Sequence, residues 1–88
     1  MTEALAPYRV VELGGGVAGA YCGKLFADFG ARVRKIEEPQ GDPLRSAEPA
    51  YFAWLNTHKD SVVAAPADLA DTAFTARWLA DCDVLIDA

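Results

Sequence analysis

Residues 14–19, Gly-Gly-Gly-Val-Ala-Gly, satisfy the spacing G-x-G-x-x-G, directly after the β-branched run Arg9-Val10-Val11-Glu12-Leu13. Glycines at those positions allow a tight turn and a close backbone approach. If a helix opens there, its unpaired amides and its dipole favour a phosphate. Glu37 ends the next extended run, roughly where a ribose-binding carboxylate would lie. Taken alone, these residues are the fingerprint of an NAD- or FAD-binding module of an oxidoreductase. The same turn also serves a different nucleotide ligand, or only lets a helix pack closely on a sheet.

The other reactive side chains are sparse. His58, the single histidine, lies in a polar stretch with no Ser, Cys or Asp arrangement around it, and reads as a solvated loop residue rather than a general base. Cys22 and Cys82 have no metal-ligand spacing and read as reduced, packed thiols, so no metal is expected. Arg32, Arg34, Lys35 and Arg45 suit an anion, although Arg32 and Arg34 at period two equally mark a solvated strand face. Tyr51, Phe52 and Trp54 read as core or interface aromatics more readily than as a stacking platform. Asn56 and Lys59 read as fixing a turn.

These residues need elements to hold them. Arg9 to Leu13 predicts a strand closed by the glycine turn. From Ala18 to Phe29 the apolar residues Tyr21, Cys22, Leu25, Phe26 and Phe29 recur at helical spacing, which predicts a helix with that face on the sheet, stopped by a left-handed Gly30. Val33 to Glu37 predicts a second strand, and the three elements make a right-handed βαβ unit with parallel strands. Pro39, Gly41, Pro43 and Pro49 punctuate an irregular connection, followed by a short aromatic helix over 51–55. A third strand is expected over Ser61 to Ala65, a turn at Pro66, one long helix from Leu69 to Ala80 capped by Asp68, and a fourth strand from Asp83 to Asp87. That order belongs to an α/β, Rossmann-like, three-layer parallel sheet.

Composition bounds the rest. The chain has 88 residues, 52% hydrophobic and 24% charged, with a net charge of -5. That excludes a disordered tail and allows one modest core. Residues 1–45 hold six basic and six acidic side chains, whereas residues 46–88 hold two and seven, so the acidic excess lies in the second half. A net negative chain makes nucleic acid a poor partner, and with neither an apolar run of about 18 residues nor a basic leader, no membrane span or signal peptide is expected and the default compartment is cytoplasmic.

Downstream residues change the balance. Val17 to Val33, Lys35 to Pro39, Gly41-Asp-Pro-Leu-Arg45, Tyr51, Asn56, Lys59, Ser61-Val62 and Asp83 to Ile86 together resemble the N-terminus of the family III CoA-transferases. That family includes the CaiB/BaiF enzymes, formyl-CoA transferase and α-methylacyl-CoA racemase. A dinucleotide oxidoreductase has no reason to show Gly-Asp-Pro-x-Arg followed by Asn-x-x-Lys-x-Ser-Val. The resemblance implies that residues 1–88 are an N-terminal CoA-binding segment, about the first quarter of a family member, with coenzyme A or acyl-CoA as substrate. It further implies interlocked homodimers, and a catalytic aspartate downstream of this chain, so no residue here is assigned as catalytic. The implied CoA contacts are Val17 and Ala18 at the first helix start, Glu38 after the second strand, and Ala64, Ala65, Pro66 and Ala67 after the third. Family members often carry Arg where Glu38 stands, and an acid there repels phosphate. Transferase and racemase stay open, as does an accessory role without a ligand. The last strand is apolar on both faces, so the chain is expected to be completed by the rest of an enzyme, a partner chain or another copy, with its length marking a truncation.

Overall fold

Val10, Val11, Val33 and Ile36, from the first two β-branched runs, are the buried centre of a four-stranded sheet. The structure, a computed structural model, describes residues 4–87, with the backbone alone of Pro66 and Leu69. Strands β1 (Arg9–Leu13), β2 (Arg32–Glu37), β3 (Lys59–Val63) and β4 (Val84–Asp87) are all parallel, in the order β3-β2-β1-β4. The chain winds outward from β1 to β3 and then crosses to the far side of β1, which creates a switch point between β1 and β4. This is the expected α/β, Rossmann-like order, and it covers part of a doubly wound sheet.

Side chains alternate across the sheet, so Val10, Glu12, Val33, Lys35 and Glu37 share one face and Val11, Leu13, Arg34 and Ile36 the other. Helix α1 (Val17–Asp28) covers the first face, over a cluster of Val10, Ala27, Ala31 and Val33. Its end has the Schellman pattern: Gly30 at φ 99 donates to Ala27 O at 3.0 Å, and Ala31 donates to Phe26 O at 3.1 Å. The second face carries Val11, Ile36 and Ala64, with Phe74 packed on them.

Three local expectations are corrected. The face that α1 buries is Gly19, Ala20, Gly23 and Ala27, while Tyr21, Leu25 and Phe29 remain more than 40% exposed and Cys22, expected to be packed, is exposed too. The cause lies beneath the helix, where charged side chains fill the sheet surface and leave room only for small residues. The single helix from Leu69 to Ala80 is instead two pieces, α4 (Pro66–Leu69) and α5 (Thr72–Trp78). Asp71 accepts from Ala73 N at 2.7 Å and caps α5, whereas Asp68 sits inside α4 and accepts from Ala65 N at 2.8 Å. Two capping acids three residues apart start two helices, not one. The third strand runs Lys59–Val63, two residues earlier at both ends than the expected Ser61 to Ala65. The expected irregular connection contains α2 (Leu44–Ala47), and α3 (Pro49–Leu55) includes the aromatic segment. His58 is exposed, at φ 68, in the turn before β3.

Candidate functional site

The glycine turn does what its composition predicts. Gly14 and Gly16 adopt φ of 84 and 102, and the first bond within α1 is Ala20 N to Gly16 O at 3.3 Å. The amides of Val17, Ala18 and Gly19 are thus without an acceptor inside the helix, and no acid occupies the first turn. Gly16 and Val17, at the start of the helix, line a crevice of about 480 Å³ outside the carboxyl ends of β1, β2 and β3. Ligands of open parallel sheets bind at that end. Leu13 and the glycines form one wall, Glu38 to Leu44 the opposite wall, and Ala64 and Ile36 part of the floor.

The wall opposite the glycines is fixed by ions. Glu37 is buried and receives Arg45 Nε and Nη2 at 2.8 Å each, Ser61 Oγ at 3.0 Å and Asp42 N at 3.0 Å. Arg45, with burial working against it, lowers the carboxyl to about 2, helped by the Asp42 amide and Ser61. The carboxylate has no capacity left for a ribose hydroxyl, so Glu37 does not play the part that the fingerprint suggested. The oxidoreductase reading loses its second residue.

Behind this wall, Glu12 is shared by two lysines: Lys35 Nζ meets Oε2 at 2.7 Å and Lys59 Nζ meets Oε1 at 2.7 Å. Lys35 also reaches Asp42 Oδ2 at 3.0 Å. Lys59 completes its three donors with Ala20 O and Asn56 Oδ1, both at 2.8 Å. All four charged side chains are at most 2% exposed, and the two carboxylates balance the two ammoniums. Burial favours neutral lysines; for Lys35 the bonds and charges of Glu12 and Asp42 outweigh it and raise the pKa, whereas for Lys59 burial, with the charge of Lys35, prevails and lowers it. The network ties β1, β2, β3, α1 and the residue 42 turn into one unit, so it fixes where the crevice wall stands. Asn56 also donates to Phe52 O at 2.9 Å, and Asn56 and Lys59 do more than fix a turn. The sequence reading missed the parts of Glu12 and Asp42, and it offered Lys35 and Arg45 to an anion, whereas Glu12 and Asp42 take the first and Glu37 the second; the available signal was charged residues amid β-branched runs and a Gly-Asp-Pro turn.

Of the residues the resemblance nominated, Val17, Glu38 and Ala64 line the crevice. Glu38 accepts a hydrogen bond from Gln40. Ala18 is exposed beside Val17 with its amide in the open first turn. Ala65 and Ala67 lie at the start of α4, outside the lining, and the Ala65 amide is taken by Asp68. The side chain of Pro66 is outside the described residues. No group of three His, Cys, Asp or Glu is placed to hold a metal among the described residues, and no helix there is long and apolar enough to cross a membrane.

Known proteins resemble this chain in sequence and in fold. The succinyl-CoA–L-malate CoA-transferase alpha subunit of Chloroflexus aurantiacus is 33% identical over 92 residues, covering 94% of this chain and 22% of its own length. The succinyl-CoA:mesaconate CoA-transferase of Haloarcula hispanica is 50% identical over 70 residues, 67% of this chain and 18% of that protein. Among solved structures, a CAIB/BAIF family protein from Brucella suis superposes with a TM-score of 0.82 at 32% identity, over 99% of this chain and 26% of that one. The chain thus spans about a quarter or less of these relatives. The model of CoA-transferase family III matches residues 5–88, and with the shared fold and the motif residues now located in one wall, the chain belongs to that family.

Proposed function

We propose that this chain forms the CoA-binding crevice of an enzyme that transfers CoA from an acyl-CoA, with a CoA phosphate at the open start of α1. The observation that carries this is the crevice of about 480 Å³ lined by the glycine turn and Val17, at the start of α1, whose first amides have no acceptor inside the helix. Relatives whose names include succinyl-CoA support acyl-CoA as the substrate class. The chain's own part is binding: the amides donate to phosphate oxygens, Ala64 closes the floor, and the ion-locked wall holds the crevice open. The reacting atoms belong to residues outside this segment, supplied by the remainder of a longer enzyme or by a partner chain, in a cytoplasmic oligomer.

Val17→Glu tests the reading, with CoA binding followed by calorimetry alongside thermal melting. A carboxylate in the first turn favours the helix by about 0.3–1 kcal/mol, so the fold is retained, but it occupies the anion position. The expected result is at least tenfold weaker CoA binding with an unchanged or higher Tm. Equal CoA binding by the variant and its parent, each carried in the complete enzyme, or none by that complete parent enzyme, would refute the proposal.

A further inference from the structure

Four of the eight Lys and Arg side chains are engaged in close ion pairs: Lys35 and Lys59 with Glu12, Arg45 with Glu37, and Lys24 with Asp28. The other four, Arg9, Arg32, Arg34 and Arg77, line one pocket of about 80 Å³. It lies on the α5 side at the amino ends of β1, β2 and β3, away from the crevice. In a chain of net charge -5 such convergence of positive charge needs a reason.

The charges are poorly compensated. Arg9 reaches Asp81 only at 3.5 Å, with both side chains more than half exposed, which makes a weak pair. Arg32, Arg34 and Arg77 have no carboxylate within ion-pair distance among the described residues. Asp60 and Asp81 also line the pocket, so four guanidiniums face two carboxylates. The guanidiniums of Arg34 and Arg77 rest against the indole of Trp78, at 4.4 and 4.8 Å from the ring centre. One aromatic ring thus holds two like charges at the same pocket. The Nε of Arg34 is buried and has no acceptor among the described residues. A buried donor without an acceptor is costly, and a shift of the side chain that brings it onto an oxyanion would relieve that cost.

We infer that this pocket is a second ligand site, which takes a phosphate-sized oxyanion between Arg34 and Arg77. A volume of about 80 Å³ is far below the several hundred Å³ of a nucleotide-sized site, so the ligand is a small anion or a single terminal group. The planar guanidinium forks match oxyanion geometry. The site is independent of the CoA crevice, because no residue lines both.

Trp78 reports on the site directly. In the full chain with Trp54→Phe, inorganic phosphate is titrated while indole emission is followed, against chloride at matched ionic strength. The expected result is a saturable change with phosphate only, at least tenfold weaker in Arg77→Gln and unaltered by Val17→Glu. Arg77 is an exposed helix residue, so its replacement leaves the fold intact, which circular dichroism verifies. Arg34→Lys keeps the charge and loses the fork, and is also expected to weaken phosphate at least tenfold. An identical response to chloride, or the same phosphate midpoint in Arg77→Gln, would overturn the inference.

Discussion

Replacing Gly23 with Ala tests the central packing claim, because two effects of opposite sign meet at that residue. In an exposed helix interior the change stabilises by about 1 kcal/mol, since Ala is the better helix former. Here an added Cβ would lie 2.2 Å from Glu12 Oε1, 3.1 Å from Lys59 Nζ and 3.2 Å from Lys59 Cε. Neither neighbour is free to move: both side chains are buried, and the crowded oxygen is the one bound to Lys59 at 2.7 Å. Relief requires that α1 lift from the sheet, at about 1–3 kcal/mol for overpacking, or that Glu12 swing away from Lys59, at about 3–5 kcal/mol for a broken buried pair. The cheaper route, near its upper end because a whole helix moves, leaves a net loss of about 2 kcal/mol after the propensity gain. For a chain of this size that lowers Tm by about 10 °C. Urea and thermal unfolding, followed by circular dichroism, measure it. A double-mutant cycle sharpens the test: in a Glu12→Ala, Lys59→Met background the obstruction is gone, and Gly23→Ala should be neutral or stabilising. A Gly23→Ala chain as stable as the parent would show that the network does not set the approach of α1.

The α1 interface also explains what could be read from the residues alone. Element order, the parallel sheet and the glycine turn were legible because periodicity and Gly or Pro punctuation are local signals, carried by Val10, Val11, Gly16 and Gly30. The buried face of α1 was not. Periodicity assigns large apolar residues to the core, and Tyr21, Leu25 and Phe29 do recur at helical spacing, yet Glu12, Lys35 and Lys59 occupy the sheet beneath and admit only Gly19, Ala20 and Gly23. That reversal depends on contacts 23 and 47 residues apart, which no window along the chain contains. Glu37 fails for a similar reason: its position matched a ribose acid, but Arg45 and Ser61 come from later elements to saturate it. The motif resemblance located Gly-Asp-Pro-x-Arg and Asn-x-x-Lys-x-Ser correctly without saying what they do. Their role is to hold one wall of the crevice, through Asp42, Arg45, Asn56, Lys59 and Ser61.

Three further outcomes follow from the same wall. Lys59→Met leaves Glu12 Oε1, Ala20 O and Asn56 Oδ1 without their donor, and should cost about 3–5 kcal/mol in urea unfolding; a loss under about 1 kcal/mol would mean that solvent reaches the network. Glu38→Gln removes the carboxylate that borders the crevice and should tighten CoA severalfold by calorimetry, whereas unchanged affinity would place the phosphates elsewhere. The last concerns acid. Glu37 titrates at about 2 in the folded chain against an ordinary 4.5, so folding favours its charged form. Its stabilisation is therefore complete above pH 4.5 and is lost as pH falls from there through 2. That shift corresponds to about 3 kcal/mol, reduced to about 2 because the Arg45 side chain is half exposed and screened by water. Arg45→Gln removes the largest cause, so its urea midpoint should fall less steeply than the parent's between pH 5 and 2, while near neutral pH the variant is the less stable of the two. Parallel pH profiles for the two chains would mean that Arg45 does not hold Glu37 ionised, and the crevice wall would then owe its position to Asp42 and Lys35 alone.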